Sequence, residues 1–115
     1  MDDVPDSLEI FKELQSDKNF YIFVYEIKDK IVGMATLFIE QKFIHSGSRV
    51  GHIEDVVVSS HHRNLGIGRI LIEKCVSTAK ERNCYKVILD CDEKNQVFYS
   101  NLGFVHYGNA MKIAF

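Results

Sequence analysis

Arg63-Asn64-Leu65-Gly66-Ile67-Gly68 stands between the apolar run Val56-Val57-Val58 and an amphipathic stretch from Ile67 to Arg82. A strand that turns through two glycines into a helix aims several backbone N–H groups, and the positive end of the helix dipole, at one point in space. Gly66 and Gly68 let the backbone approach a bulky anion, and Arg63 adds a permanent charge whose fork matches phosphate oxygens. The expected guest is a pyrophosphate, met along Arg63, Asn64, Leu65, Gly66, Ile67, Gly68 and Arg69. Two other phosphate loops are excluded. A P-loop requires Gly-x-x-x-x-Gly-Lys followed by Ser or Thr, and a dinucleotide fingerprint requires a third glycine where this chain has Leu71. The plainer alternative is a strand-to-helix turn that uses glycine for tight packing.

On either side of the loop the pattern is strand, helix, strand. Gly51 to Ser59 reads as a buried strand, and the helix presents Ile67, Ile70, Leu71, Cys75 and Ala79 as its inner face before Asn83 ends it. Tyr85 to Cys91 reads as a second buried strand, so the crossover through about 16 helical residues is βαβ geometry with parallel neighbours. Upstream, Phe20 to Ile27 and Ile31 to Ile39 form a hairpin about Asp29-Lys30, and Ser7 to Leu14 starts with an N-cap and reads as a short helix. Gln41 to Val50 reads as an exposed, partly basic connection or strand end. Downstream, Asp92 caps a short helix over Lys94 to Asn101, Gly103 takes the C-cap, and Phe104 to Tyr107 and Met111 to Phe115 are final extended segments.

The 115 residues correspond to one domain, with 46% hydrophobic and 26% charged residues, ordinary values for a globular chain. A formal net charge of −2 gives no electrostatic reason to expect nucleic acid. No apolar stretch reaches membrane-spanning length and Met1-Asp2-Asp3 is unlike a leader, so a cytosolic protein is expected. Cys75, Cys84 and Cys91 make an odd count without a C-x-x-C pair, which argues for reduced thiols over a disulfide framework or zinc site. His61-His62 lacks a partner at ligand spacing, so no metal is expected.

The loop, with Asn95-Gln96-Val97-Phe98-Tyr99-Ser100-Asn101-Leu102-Gly103-Phe104 beyond it, resembles the GNAT superfamily of N-acetyltransferases. The resemblance implies an α/β (α+β) fold: a mixed, mainly antiparallel sheet with a central parallel βαβ pair and flanking helices, shortened here at the N-terminus. It implies acetyl-CoA as co-substrate, with its pyrophosphate on the glycine loop, Asn95 on the pantetheine arm and Tyr99 near the sulfur. Within the superfamily, Lys42-Phe43-Ile44-His45, Gly51 to Val56 and Cys84 to Asn95 look like the glucosamine-6-phosphate N-acetyltransferase branch. That likeness implies acetylation of the sugar amine on the route to UDP-N-acetylglucosamine, usually in a homodimer. Lys42 and His45 are then expected near the sugar phosphate, Glu54 and Asp55 beside the sugar pocket, and Asp90 facing the amine.

The chemistry asks for similar parts. An ammonium cannot attack a thioester, so a carboxylate must orient the amine and help remove its proton; Asp90 at a strand end and Glu54 on the neighbouring strand are placed for that. The N–H groups of Val56, Val57 and Val58 supply an oxyanion donor if their strand bulges away from its neighbour. The Tyr99 hydroxyl can donate to the departing thiolate. Each residue also has a plainer reading: Tyr99 as a half-buried aromatic, Asp90 as a loop or cap residue, Glu54 as an exposed strand carboxylate, and Lys42, His45 and Arg49 as a solvated basic face. Cys91 reads as a structural thiol, so direct transfer in a ternary complex is expected over a covalent acetyl-enzyme. The branch carries further N-terminal elements and a C-terminal arginine; here Ala114 holds the arginine's place, with Lys112 nearby. Another amine acceptor and a catalytically silent acetyl-CoA-binding module are the alternatives.

Overall fold

The computed structural model describes residues 17–115, so the helix expected over Ser7 to Leu14 lies outside the described residues. Strands β1 (Phe20–Ile27) and β2 (Lys30–Gln41) form the expected hairpin. Ile27 pairs with Lys30, and the two-residue turn is Lys28-Asp29, one position earlier than expected, with both residues at positive φ as a hairpin's twist demands. β3 (Arg49–Val58) pairs antiparallel with β2, and β4 (Cys84–Ile88) pairs parallel with β3, giving the order β1-β2-β3-β4. The mixed, mainly antiparallel sheet agrees with the expected fold class, but the parallel pair, expected at its centre, lies at one margin of the sheet among the described residues, because no strand there pairs with the outer edge of β4.

Helix α1 (Ile67–Glu81) connects β3 to β4 across one sheet face and buries Ile67, Leu71, Ile72, Cys75, Thr78 and Ala79. Ile70, expected inside, is 48% exposed, whereas Ile72 is fully buried. At 100° per residue the stripe through Ile67, Leu71, Cys75 and Ala79 takes in Ile72 and leaves Ile70 on its outer flank. The sheet meets this stripe with Val32, Ala35, Leu37, Ile39 and Ile53. Each large aliphatic side chain buried there contributes roughly 1.5–3 kcal/mol. The helix ends as expected, with Asn83 in the left-handed region and its N–H donating to the Lys80 carbonyl at 3.0 Å.

Two stretches depart from expectation. The β4 ladder stops at Ile88 rather than Cys91, and the strand is half-buried rather than buried, because its outer edge has no strand neighbour among the described residues. A single helical turn, Glu93–Asn95, leads into α2 (Gln96–Ser100), and the Phe104 N–H donates to the Tyr99 carbonyl at 3.1 Å over the left-handed Gly103. Beyond it, Phe104 to Tyr107 and Met111 to Phe115 belong to no ladder, and Met111 and Ile113 are almost fully exposed.

Candidate active site

Parallel pairing between β3 and β4 runs from Arg49 and Cys84 to His52 and Ile88, and both chains continue beyond that point without a shared ladder. Just past that point β3 is irregular against its other neighbour, β2. Between the pairs Thr36–Glu54 and Met34–Val57, β3 places two residues, Asp55 and Val56, opposite Ala35 alone, with Asp55 at φ 52°. A bulge in this strand is the condition the sequence reading set for an oxyanion donor in Val56–Val58, and Val57 and Val58 themselves stay paired with Met34 and Gly33 of β2. Asp tolerates the left-handed region better than most residues, which suits it to the kink.

A polar cavity of about 290 Å³ occupies the opening between the two strand ends. Ile53, Glu54, Asp55 and Val56 line it from β3, Leu89, Asp90, Cys91 and Asp92 from the continuation of β4, and Asn95 and Tyr99 from the helical segment beyond. The structure therefore brings Glu54, Asp55, Val56, Asp90, Asn95 and Tyr99 together. Tyr99 also borders a second cavity of about 280 Å³ against Asp90, Cys91, Gln96 and the segment Phe104–Gly108. Its ring meets Phe98 edge-on at 5.0 Å and Phe104 at 5.8 Å between centroids. Burial, with smaller contributions from Cys91 and Cys75, raises the Tyr99 pKa above the ordinary phenol value, so the hydroxyl is a proton donor at neutral pH.

Beyond the bulge, the chain passes through the turn Ser60–His62 into the glycine loop. Asn64 and Gly66 take positive φ, Gly66 is the N-cap of α1, and no side chain caps the first-turn N–H groups. Those donors are what an anion needs. Arg63 is exposed and its Nε donates to the Val58 carbonyl at 3.4 Å, which keeps the guanidinium beside the end of β3. Arg69 turns away from the loop to pair with Glu73 at 2.7 Å.

The structure does not bring Lys42 into the cavity of the same chain. Lys42 follows the end of β2, and its Nζ lies 3.8 Å from Glu40, which also holds His52 Nε2 at 2.9 Å. That bond and the nearby charge of Lys42 lower the Glu40 pKa. The Gln41–Arg49 pair lies five residues along β3 from Glu54, about 17 Å at the rise of an antiparallel strand. His45 opens the turn His45–Gly47 in the same connection.

Asp92 is a cavity residue that the sequence reading gave to a helix cap; it stands at the cap position, but its side chain makes no capping bond. Its signal was the alternation Asp90-x-Asp92, which puts both carboxylates on one face of an extended chain. Among the described residues no group of three or more His, Cys, Asp or Glu is arranged to hold a metal ion, and no helix is long and apolar enough to cross a membrane.

Comparison with known proteins matches residues 2–104 to the model of the acetyltransferase (GNAT) family. Glucosamine 6-phosphate N-acetyltransferase 1 of Dictyostelium discoideum is 38% identical over 109 residues, covering 92% of this chain and 69% of that protein. The glucosamine 6-phosphate N-acetyltransferase of Trypanosoma brucei brucei is 42% identical over 92 residues, covering 80% of this chain and 63% of that protein. The crystal structure of glucosamine-6-phosphate N-acetyltransferase from Arabidopsis thaliana superposes with a TM-score of 0.90 at 35% identity, covering 97% of this chain and 82% of that one. The chain thus spans about two-thirds of the length of the two curated relatives.

Proposed function

The chain belongs to the acetyltransferase (GNAT) family, and from that premise we propose that it transfers the acetyl group of acetyl-CoA to the amine of glucosamine 6-phosphate. The product, N-acetylglucosamine 6-phosphate, feeds UDP-N-acetylglucosamine synthesis, and a cytosolic location suits both substrates. One conjunction carries the reading: a glycine loop with uncapped helix N–H groups opens next to a strand divergence that gathers Glu54, Asp90 and Tyr99 around one cavity.

The donor's pyrophosphate is met by the first turn of α1 and by Arg63, and its pantetheine arm enters between β3 and β4 past Asn95. The N–H groups freed near Val56 to Val58 stabilise the charge that develops on the thioester oxygen. Asp90, assisted by Glu54, takes a proton from the acceptor ammonium, the amine nitrogen bonds to the acetyl carbon, and the carbon–sulfur bond breaks. Tyr99 gives its proton to the departing thiolate and recovers one through solvent as the acetylated nitrogen sheds its second proton. With both substrates bound at once, Cys91 carries no acetyl group.

The cavity is rich in carboxylates, which suit an ammonium and not a phosphate. We therefore assign the sugar phosphate to cations supplied where a second copy completes the pocket, Lys42 and His45 among them. The outer edge of β4, without a strand neighbour among the described residues and bordered by an apolar groove of about 490 Å³, supports a homodimer.

The test is release of free CoA thiol from acetyl-CoA in the presence of glucosamine 6-phosphate. Turnover with this amine supports the reading. Release with other amines alone replaces the acceptor, and acetyl-CoA binding without release reduces the chain to a binding module.

A further inference from the structure

Gly33 pairs with Val58 across the β2–β3 ladder, and α1 crosses it so closely that a Cβ there would stand 2.9 Å from Ile67 Cγ2 and 3.1 Å from Leu71 Cδ1. The two atoms differ in how far they can yield. Leu71 Cδ1 ends a side chain with two free torsions. Ile67 Cγ2 hangs directly on the Cβ of a β-branched residue, whose χ1 is held to one rotamer in a helix. Ile67 is also 2% exposed, so its side chain has no open space to enter. A side chain at position 33 therefore displaces the Ile67 backbone itself.

Ile67 lies between Gly66 and Gly68, and its N–H is one of the uncapped donors of the first turn of α1. We propose that Gly33 is a positioning residue for the acetyl donor: its missing side chain seats that first turn at the depth where the loop N–H groups meet the pyrophosphate. This rests on the acetyl-CoA reading above. The sheet supplies its own control in Gly51, where a Cβ would stand 3.2 Å from Ala79 Cβ and 3.3 Å from both Leu37 Cδ1 and Val87 Cγ2. The site is also crowded, though less tightly than Gly33, and Ala79 is twelve residues past Ile67, about 18 Å along the helix from the loop.

The experiment compares two donors, acetyl-CoA and S-acetylpantetheine, which lacks the pyrophosphate. Gly33→Ala is expected to raise the acetyl-CoA KM on the order of 10-fold at unchanged kcat, the size of one weakened anion contact. Its kcat/KM for S-acetylpantetheine is expected to stay within about 2-fold of the parent, since uniform structural damage alone would lower both. Adding Ile67→Leu, which moves the branch off Cβ at equal volume, is expected to restore the acetyl-CoA KM, and Gly51→Ala is expected to leave it unchanged. An unaltered acetyl-CoA KM in Gly33→Ala, or an equal loss with both donors, overturns the proposal. If Gly33→Ala does not fold, recovery of a folded Gly33→Ala/Ile67→Leu protein with the parent KM supports it, and failure to recover overturns it. A parent protein that binds acetyl-CoA without turnover is compared by Kd with the same expected ratios. A parent that does not bind acetyl-CoA sinks the functional reading, whereas binding by the parent with an unaffected Gly33→Ala sinks the inference alone.

Discussion

Tyr99 has a phenol whose pKa burial raises above its ordinary value and a ring in edge-on contact with Phe98 and Phe104. A neutral hydroxyl in a restricted orientation is what a departing thiolate requires of a donor. Tyr99→Phe keeps the ring contacts and removes only the proton, so kcat is expected to fall about 100-fold while acetyl-CoA affinity, measured by calorimetry, stays unchanged. An unchanged kcat removes Tyr99 from the chemistry. That Glu54, Asp90, Asn95 and Tyr99 meet at one cavity was legible from the order strand, helix, strand and helical motif, which brings the ends of β3 and β4 and the segment beyond them together. The β-bulge at Asp55 was not, since it depends on how β3 meets β2 across a ladder and leaves only a conformationally tolerant Asp as its trace. Asp92 stands at the expected cap position, but its place in the cavity was missed for a related reason: next to a helix start, a cap and a cavity carboxylate have the same local sequence.

At the scale of elements, α1 joins three functions in one helix. Its first turn carries the anion donors, so Arg63→Ala beside that turn is expected to raise the acetyl-CoA KM, more at low salt than at high salt. A KM equal to that of the parent at every ionic strength takes the pyrophosphate off the loop. Its middle buries Cys75, whose thiol pKa is pushed up from 9.0 to about 11. Above pH 9 the unfolded chain releases this proton while the folded chain retains it, so stability falls as pH rises and the contribution is lost by about pH 11. The loss is on the order of 3 kcal/mol. Urea melts at pH 8 and 11 check it, with a smaller difference expected in Cys75→Ala. Beyond the last turn, Arg82 donates to the Tyr21 hydroxyl at 2.7 Å, Asn19 Oδ1 at 2.9 Å and the Lys18 carbonyl at 3.2 Å, latching α1 to the start of β1. Arg82→Ala is expected to cost about 1–3 kcal/mol in urea unfolding with KM values unchanged. The helix itself was legible from its apolar spacing and its Asn83 stop. The latch was not, because it joins residues more than 60 positions apart.

Across the whole molecule, the unmatched surfaces lie together on one flank. The outer edge of β4 presents backbone groups without a strand partner among the described residues, and beside it runs a groove lined by Val76, Ala79, Val87, Leu102 and Phe104. The last segment alternates Met111, Ile113 and Phe115, all exposed, with Lys112 and Ala114, a strand pattern without a sheet. Lys86 Nζ donates to the Tyr107 hydroxyl at 2.8 Å and so fastens the root of this segment to β4. An edge without a strand neighbour among the described residues and an apolar segment with strand alternation are both halves of an exchange between two copies. If the second copy fills the groove this way, Met111→Asp/Ile113→Asp halves the mass measured by light scattering. The same change is expected to raise the glucosamine 6-phosphate KM at least 10-fold with acetyl-CoA Kd unchanged, because the proposed function takes the phosphate cations from the completed pocket and the pyrophosphate site from a single chain. A parent protein that is monomeric at micromolar concentration and still binds the sugar phosphate tightly refutes the exchange and returns the search for those cations to a single chain.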